Sequence, residues 1–252
     1  HSLENLNKSL DEKLMIYKGD PKIILEQLCQ SFSIKYIFNN TVYEPNTLEQ
    51  QRHYKTYFQQ KGIAFKSFNA SLLWDPKSIT KADGTMYKVF TPFYRKGCLL
   101  SSPPRKPFSK PSNLHFVSDD TSKTRLSDLN LLPHHPWHKS IIEGWDISEE
   151  GAHKQLNCFI KKGLNQYKEG RNFPAKAFVS KLSPYLHFGL ISIFEIWHAI
   201  QVLPQDTNTD HFLSELGWRE FSYYLLYHFP KLASKNWNQK FDSFVWKDNK
   251  AH

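Results

Sequence analysis

The chain has 252 residues, 40% hydrophobic and 23% charged, with 33 lysines and arginines against 24 aspartates and glutamates, a net charge of +9. This is an ordinary soluble globular composition, enough for one large domain or two modest ones, and its basic balance favours a polyanionic partner, because neutralising phosphates releases counterions. The three cysteines, Cys29, Cys98 and Cys158, are far apart and form no CxxC pair, which excludes a disulfide framework and a cysteine zinc site and points to free thiols in a reducing, cytoplasmic compartment.

No apolar run approaches the roughly 20 residues of a membrane span. The opening His1-Ser2-Leu3-Glu4 has neither the basic head nor the apolar stretch of a signal peptide. It does not start with methionine, so the numbering is expected to begin inside a longer product. Leu6, Leu10 and Leu14 fit one helix face, and Met15-Ile16-Tyr17 reads as a short strand stopped by Gly19-Asp20-Pro21. Ile23, Ile24, Leu25 and Leu28 carry the next helix. Ile34 to Phe38 is a second strand ended by Asn39-Asn40, Thr47 to Gln60 is helix-prone, and Ile63 to Phe65 and Leu72-Leu73 are extended. Strand, helix, strand with short connections means a parallel sheet with crossover helices, a Rossmann-like α/β domain.

Residues 95–137 are broken by Ser101-Ser102-Pro103-Pro104, Lys110-Pro111-Ser112 and Pro133-His134-His135-Pro136. So long a stretch without regular structure reads as an interdomain connection. From Ser148 onward the period is helical: Ala152, Leu156, Phe159 and Leu164 form one stripe, and Ile191 to Val202 and His211 to Phe229 form two more. The predicted division is an α/β domain over 1–94, a linker over 95–137 and an all-α domain over 138–252. His134, His135 and His138 have no spaced carboxylate or cysteine beside them, so no metal site is expected; His187 and His228 lie in apolar helical segments, where a satisfied core histidine is the default.

Two segments carry chemistry. Around Ser180 and Ser183, a serine-rich turn runs into Pro184. Hydroxyls and free amides at a helix start favour an anion, although a plain cap, Ser183 with Pro184 at the first helical position, accounts for the same residues. Further on, Glu215, Trp218 and Arg219 stand at i, i+3 and i+4 and share one helix face, with Phe212 continuing it. The simpler account is an exposed Glu215–Arg219 pair contributing ~0.3–0.5 kcal/mol beside a core tryptophan.

Together these segments resemble a known family. Tyr167-Lys168-Glu169-Gly170-Arg171-Asn172-Phe173-Pro174, then Ser180-Lys181-Leu182-Ser183-Pro184-Tyr185-Leu186-His187-Phe188-Gly189, then Phe212-Leu213-Ser214-Glu215-Leu216-Gly217-Trp218-Arg219-Glu220-Phe221 are similar in order and spacing to the flavin-binding domain of the DNA photolyase/cryptochrome family. Tyr43-Glu44-Pro45-Asn46 and Gly84-Thr85-Met86-Tyr87-Lys88-Val89-Phe90-Thr91-Pro92-Phe93 resemble the end of its α/β domain. The resemblance, closest to class I cyclobutane pyrimidine dimer photolyases, implies that Tyr167, Val179, Ser180, Lys181, Leu182, Ser183 and Phe212 contact FAD. It implies that Trp218 stacks on an extruded pyrimidine dimer while Glu215 bonds its base edge, with Arg171 and Arg219 on the DNA, and that Trp246 ends an electron-transfer chain. A flipped base needs such an aromatic platform and a polar group for its edge.

The same resemblance implies a chain truncated at both ends: an incomplete α/β domain followed by the first half of the FAD-binding domain, with apolar helix faces left open to self-association. A second antenna chromophore, of folate or deazaflavin type, is unassigned, since Thr47 stands where folate-binding members carry an acid. The expected function is FAD-dependent, light-driven repair of pyrimidine dimers in DNA. A cryptochrome-type blue-light photoreceptor and an inactive photolyase remnant are the alternatives.

Overall fold

A computed structural model describes residues 1–117 and 124–245. Helix α1 spans Ser2–Ser9 and stops short of Leu10, because Asp11 and Glu12 take positive φ angles of 52° and 60°. Leu6, Leu10 and Leu14 therefore do not share one helix; Leu14 N–H instead donates to Asn7 Oδ1 at 2.9 Å. Helix α2, Pro21–Phe32, starts where Asp20 accepts from the amides of Lys22 and Ile23, and Pro21 occupies a first-turn position whose missing N–H costs nothing. Strand β1 is Tyr36–Asn40, α3 is Pro45–Gln60 and β2 is Ala64–Phe68.

β1 and β2 pair in parallel from Tyr36 opposite Ala64 to Asn40 opposite Phe68, with α3 as the crossover. Two expected strands do not form among the described residues. Met15-Ile16-Tyr17 lies outside the two-stranded sheet. Leu72 and Leu73 are buried, but their amides donate to side chains, Asn69 Oδ1 at 3.0 Å and Glu220 Oε2 at 2.8 Å, which replace a ladder.

Beyond β2, a helical turn α4, Phe90–Pro92, runs into a π-helix over Phe93–Cys98. From 99 to 117 the backbone carries neither helix nor strand. Helices α5, Trp137–Ile142; α6, Glu149–Lys162; α7, Tyr167–Gly170; α8, Ser183–His187; α9, Ile193–Gln201; and α10, Thr207–His228, follow.

The main core gathers the apolar faces of α6, α9 and α10 and also takes in residues from Leu73 to Cys98. Trp74 meets Trp197 edge-on at 5.2 Å, and Phe93 packs against Phe221 at 5.1 Å and Tyr224 at 4.7 Å. Packing thus runs across residue 94 without a break. Gly217 makes part of this possible: a Cβ there would lie 2.6 Å from the Tyr94 ring.

Candidate functional site

Helix α10 is the backbone of the site. Asp206 caps it, accepting from the amides of Asn208 and Thr209 at 2.8 Å each. Its core face buries Phe212, Leu213, Leu216, Gly217, Glu220, Phe221 and Tyr224. Trp218 lies at the edge of that face and stays 45% exposed. Its indole stacks on Phe90 with ring centres 3.8 Å apart and planes 11° apart.

Glu215 and Arg219 do not pair with each other. Glu215 forms an ion pair with Arg171, which arrives from the end of α7, and His211 Nε2 lies 3.8 Å from the same carboxylate. The bond to Glu215 holds the Arg171 guanidinium above the usual arginine range. Arg219 turns the other way, donating to Ser71 O at 2.7 Å and to Glu220 Oε1 at 3.1 Å, with its guanidinium over the Tyr223 ring. The physical reason is partnering: Glu215 is already engaged by Arg171, while the Ser71 carbonyl and Glu220 offer Arg219 two acceptors on the other side. Arg219 also lines a cavity of about 360 Å³ with Tyr43, Glu44, Ser71 and Ser183.

Glu220 is the residue that sequence reasoning missed. It is 2% exposed and accepts from the amides of Leu73 at 2.8 Å and Trp74 at 3.4 Å, so it ties the chain after β2 onto α10. Burial pushes its carboxyl up to about 7, against the pull of Arg219 and the two amides. A signal was available: Glu220 lies four residues after Leu216 and four before Tyr224, on the core face of the helix.

Tyr167 and Phe212 are both buried. They meet edge-on at 5.2 Å, and Phe159 packs on both, at 5.5 Å and 4.8 Å. Burial pushes the Tyr167 phenol up. The segment that follows α7 packs closely on its end: a Cβ on Gly170 would lie 2.5 Å from the Phe178 ring.

In the turn Val179-Ser180-Lys181-Leu182-Ser183, Gln155 Nε2 donates to Ser180 O at 2.8 Å, Leu182 N–H donates to Ser180 Oγ at 3.4 Å, and Leu182 is buried. Lys181 takes a left-handed φ of 54°. Ser183 is the first helical residue of α8 rather than its cap, Leu182 holds the cap position, and Ser183 makes no capping bond. Lys181 and Ser183 are exposed, and among the described residues their amides have no acceptor. Two hydroxyls, an ammonium and free amides on one turn form a donor set for an anion, which fits the pyrophosphate of a dinucleotide such as FAD.

Trp246 lies outside the described residues. His228 Nε2 donates to Pro76 O at 3.0 Å, as a satisfied histidine does, whereas His187 is exposed at the end of α8 beside Phe188, because the short helix ends there and turns its last residues to solvent. Among the described residues no group of three His, Cys, Asp or Glu side chains is placed to hold a metal, and no helix is long and apolar enough to cross a membrane.

Comparison with known proteins bears on this geometry. A family model described as "DNA photolyase" matches residues 1–112, and one described as "FAD binding domain of DNA photolyase" matches residues 212–252. The chain is 36% identical over 256 residues to a deoxyribodipyrimidine photo-lyase of Agrobacterium fabrum, an alignment covering 99% of this chain and 53% of the relative. It is 27% identical over 218 residues to Cryptochrome-1 of Arabidopsis thaliana, covering 82% of this chain and 32% of that one. The crystal structure of a bacterial class III photolyase from Agrobacterium tumefaciens superposes with a TM-score of 0.91 at 36% identity, over 98% of this chain and 52% of that one. The sequence resemblance pointed to class I, whereas that structure is of class III. The chain spans about half the length of the curated relatives it matches. With a parallel β–α–β unit leading into a helical core that carries the flavin-domain motifs in order, the chain belongs to the DNA photolyase/cryptochrome family.

Proposed function

We propose that this chain is the part of a cytoplasmic DNA photolyase that begins the FAD site and holds the dimer, in an enzyme that uses light to repair cyclobutane pyrimidine dimers in DNA. The observation that carries the reading is the half-exposed Trp218, stacked on Phe90 and one helical turn from a carboxylate, Glu215, that an arginine already partners. A flat apolar platform beside a hydrogen-bonding acid matches the two surfaces of an extruded pyrimidine pair, its stacked face and its imide edge.

In this reading Lys181, Ser180 and Ser183 hold the pyrophosphate of FAD with the free amides of Lys181 and Ser183, Val179 and Leu182 shape the turn that presents them, and Tyr167 and Phe212 back the pocket. When bound, the flavin supplies light absorption and the electron that opens the dimer. Trp218 stacks the lesion, Glu215 accepts from its base edge and Arg171 supplies positive charge near the phosphates, while Arg219, turned toward Ser71 and Glu220, braces α10 from behind. Trp246 is proposed as the outer relay of electron transfer. A folate or deazaflavin antenna fits the same reading and is left open between the two. The division into folding units at residues 94 and 137 is likewise a proposal.

Similarity to Cryptochrome-1 supports a second reading, a blue-light photoreceptor on the same fold. Illuminating the purified chain with FAD and a dimer-containing oligonucleotide separates the two. Loss of the dimer on illumination supports photolyase. Flavin absorbance without repair supports the photoreceptor. Neither flavin binding nor repair supports an inactive remnant or a fragment whose function belongs to the longer protein. Trp218→Ala should lower the preference for dimer-containing over undamaged DNA by ~1–3 kcal/mol, the worth of one stacked base; an unchanged preference refutes the role given to Trp218.

A further inference from the structure

The segment Tyr87-Lys88-Val89-Phe90-Thr91-Pro92-Phe93 enters the function argued above only as the contact beneath the platform, and that contact has a role of its own. Phe90 stacks nearly parallel with two rings: Trp218 at 3.8 Å and 11°, and Tyr94 at 5.6 Å and 9°. Tyr94 is fully buried and seated against Gly217, the residue next to Trp218 in α10. Its position is set by the π-helix that follows the turn carrying Phe90. The core thus holds Tyr94, Tyr94 backs Phe90, and Phe90 backs the indole. Phe221 closes the group edge-on, at 6.0 Å from Phe90 and 6.0 Å from Trp218.

We propose that Phe90 is a positioning residue for dimer recognition: it holds the Trp218 indole flat against the protein with one face free, so that the extruded base pair stacks on a ring already in place. This rests on the reading of Trp218 as the lesion platform. The physical reason is rotamer freedom. A 45% exposed tryptophan without a stacking neighbour samples several side-chain rotamers, and a ligand must then pay to order it. With one face stacked on Phe90, the accessible area of the indole is its outer face and edges, so the ordering is done before the ligand arrives. Phe90 does not touch the base and contributes nothing to nonspecific contact with phosphates, so its effect is confined to the damaged site.

The test measures affinity for a fluorescent oligonucleotide carrying one thymine cyclobutane dimer and for its undamaged twin, using the whole chain and its variants. Phe90→Ala should reduce the preference for the dimer by up to about tenfold, the cost of ordering one side chain, with affinity for undamaged DNA unchanged. Phe90→Leu keeps apolar volume without a ring and should lose the same preference even if the alanine variant unfolds. Phe90→Tyr restores a stackable ring and should restore it. Wild-type preference in both Phe90→Leu and Phe90→Ala, alongside its loss in Trp218→Ala, overturns the role of Phe90 and leaves the platform reading standing. Unchanged preference in Trp218→Ala, or no preference in the unsubstituted chain, overturns the platform reading itself.

Discussion

The two halves of the molecule bury their apolar residues very differently. Around the sheet, α1 and α2 contribute no buried residue at all, and only Tyr43, Phe58 and Phe65 are buried between β1 and the end of β2. One sheet face is bare: Tyr36, Phe38 and Phe68 are exposed, Tyr36 stacking on Phe38 and the Phe68 ring lying tilted 6.0 Å from Phe38. The helical region, by contrast, packs one continuous core from Leu73 to Tyr224. Local signals such as Asp20 before Pro21 are strong enough to start helices in either half. Burial is concentrated where helices from distant parts of the chain meet, and that is where the candidate site is fixed.

This contrast is easiest to break with paired truncations. Phe93→Ala removes a ring packed on Phe221 and Tyr224 and should cost about 3–5 kcal/mol. Phe38→Ala, on the bare sheet face, should change stability by less than about 0.5 kcal/mol. Urea midpoints of the two variants measure the difference; equal losses would mean that both halves unfold around one shared core.

The seam between the halves can be sharpened through pH. Glu220 has an ordinary value of 4.5 and is pushed up to about 7 when folded. The folded chain therefore binds this proton more tightly than the unfolded chain. The stabilisation is fully present below 4.5 and is lost as pH rises through 7, on the order of 3 kcal/mol over that window. Glu220→Gln keeps an acceptor for the Leu73 amide and cannot ionise, so its stability should lack this decline. Parallel urea titrations between those pH values compare the two slopes; equal slopes would show that Glu220 is not the group that titrates.

The smallest effect tests the local signals themselves. Ser192 caps α9, accepting from the Phe194 amide at 3.2 Å, while Glu195 reaches back to the Ser192 amide at 3.1 Å. Ser192→Ala should cost about 1 kcal/mol of thermal or urea stability. A much larger loss would mean that the core, and not the cap, holds the start of α9.

Much of the architecture was legible before the structure. The helical periods of α3, α6, α9 and α10 and the parallel pairing of β1 with β2 follow from spacing and turn residues. Met15-Ile16-Tyr17 and Leu72-Leu73 read as strands because short apolar runs carry no information about which backbone will lie beside them. At the site, the face shared by Glu215 and Trp218 was readable from helix geometry, but the partners were not. Arg171 reaches Glu215 from another helix, and Glu220 draws Arg219 away.

By itself, the sequence determined which long segments are helical, the face shared by Glu215 and Trp218, and the family to which the motifs point, since these depend on neighbours within a few positions. Tertiary structure alone decided that Glu220 is buried, that Arg219 serves it, that Tyr167 and Phe212 lie in a packed core, and that Phe90 underlies Trp218. Those outcomes depend on which groups meet after distant segments pack, and on how far water is excluded there. Neither property is written in any local stretch of chain.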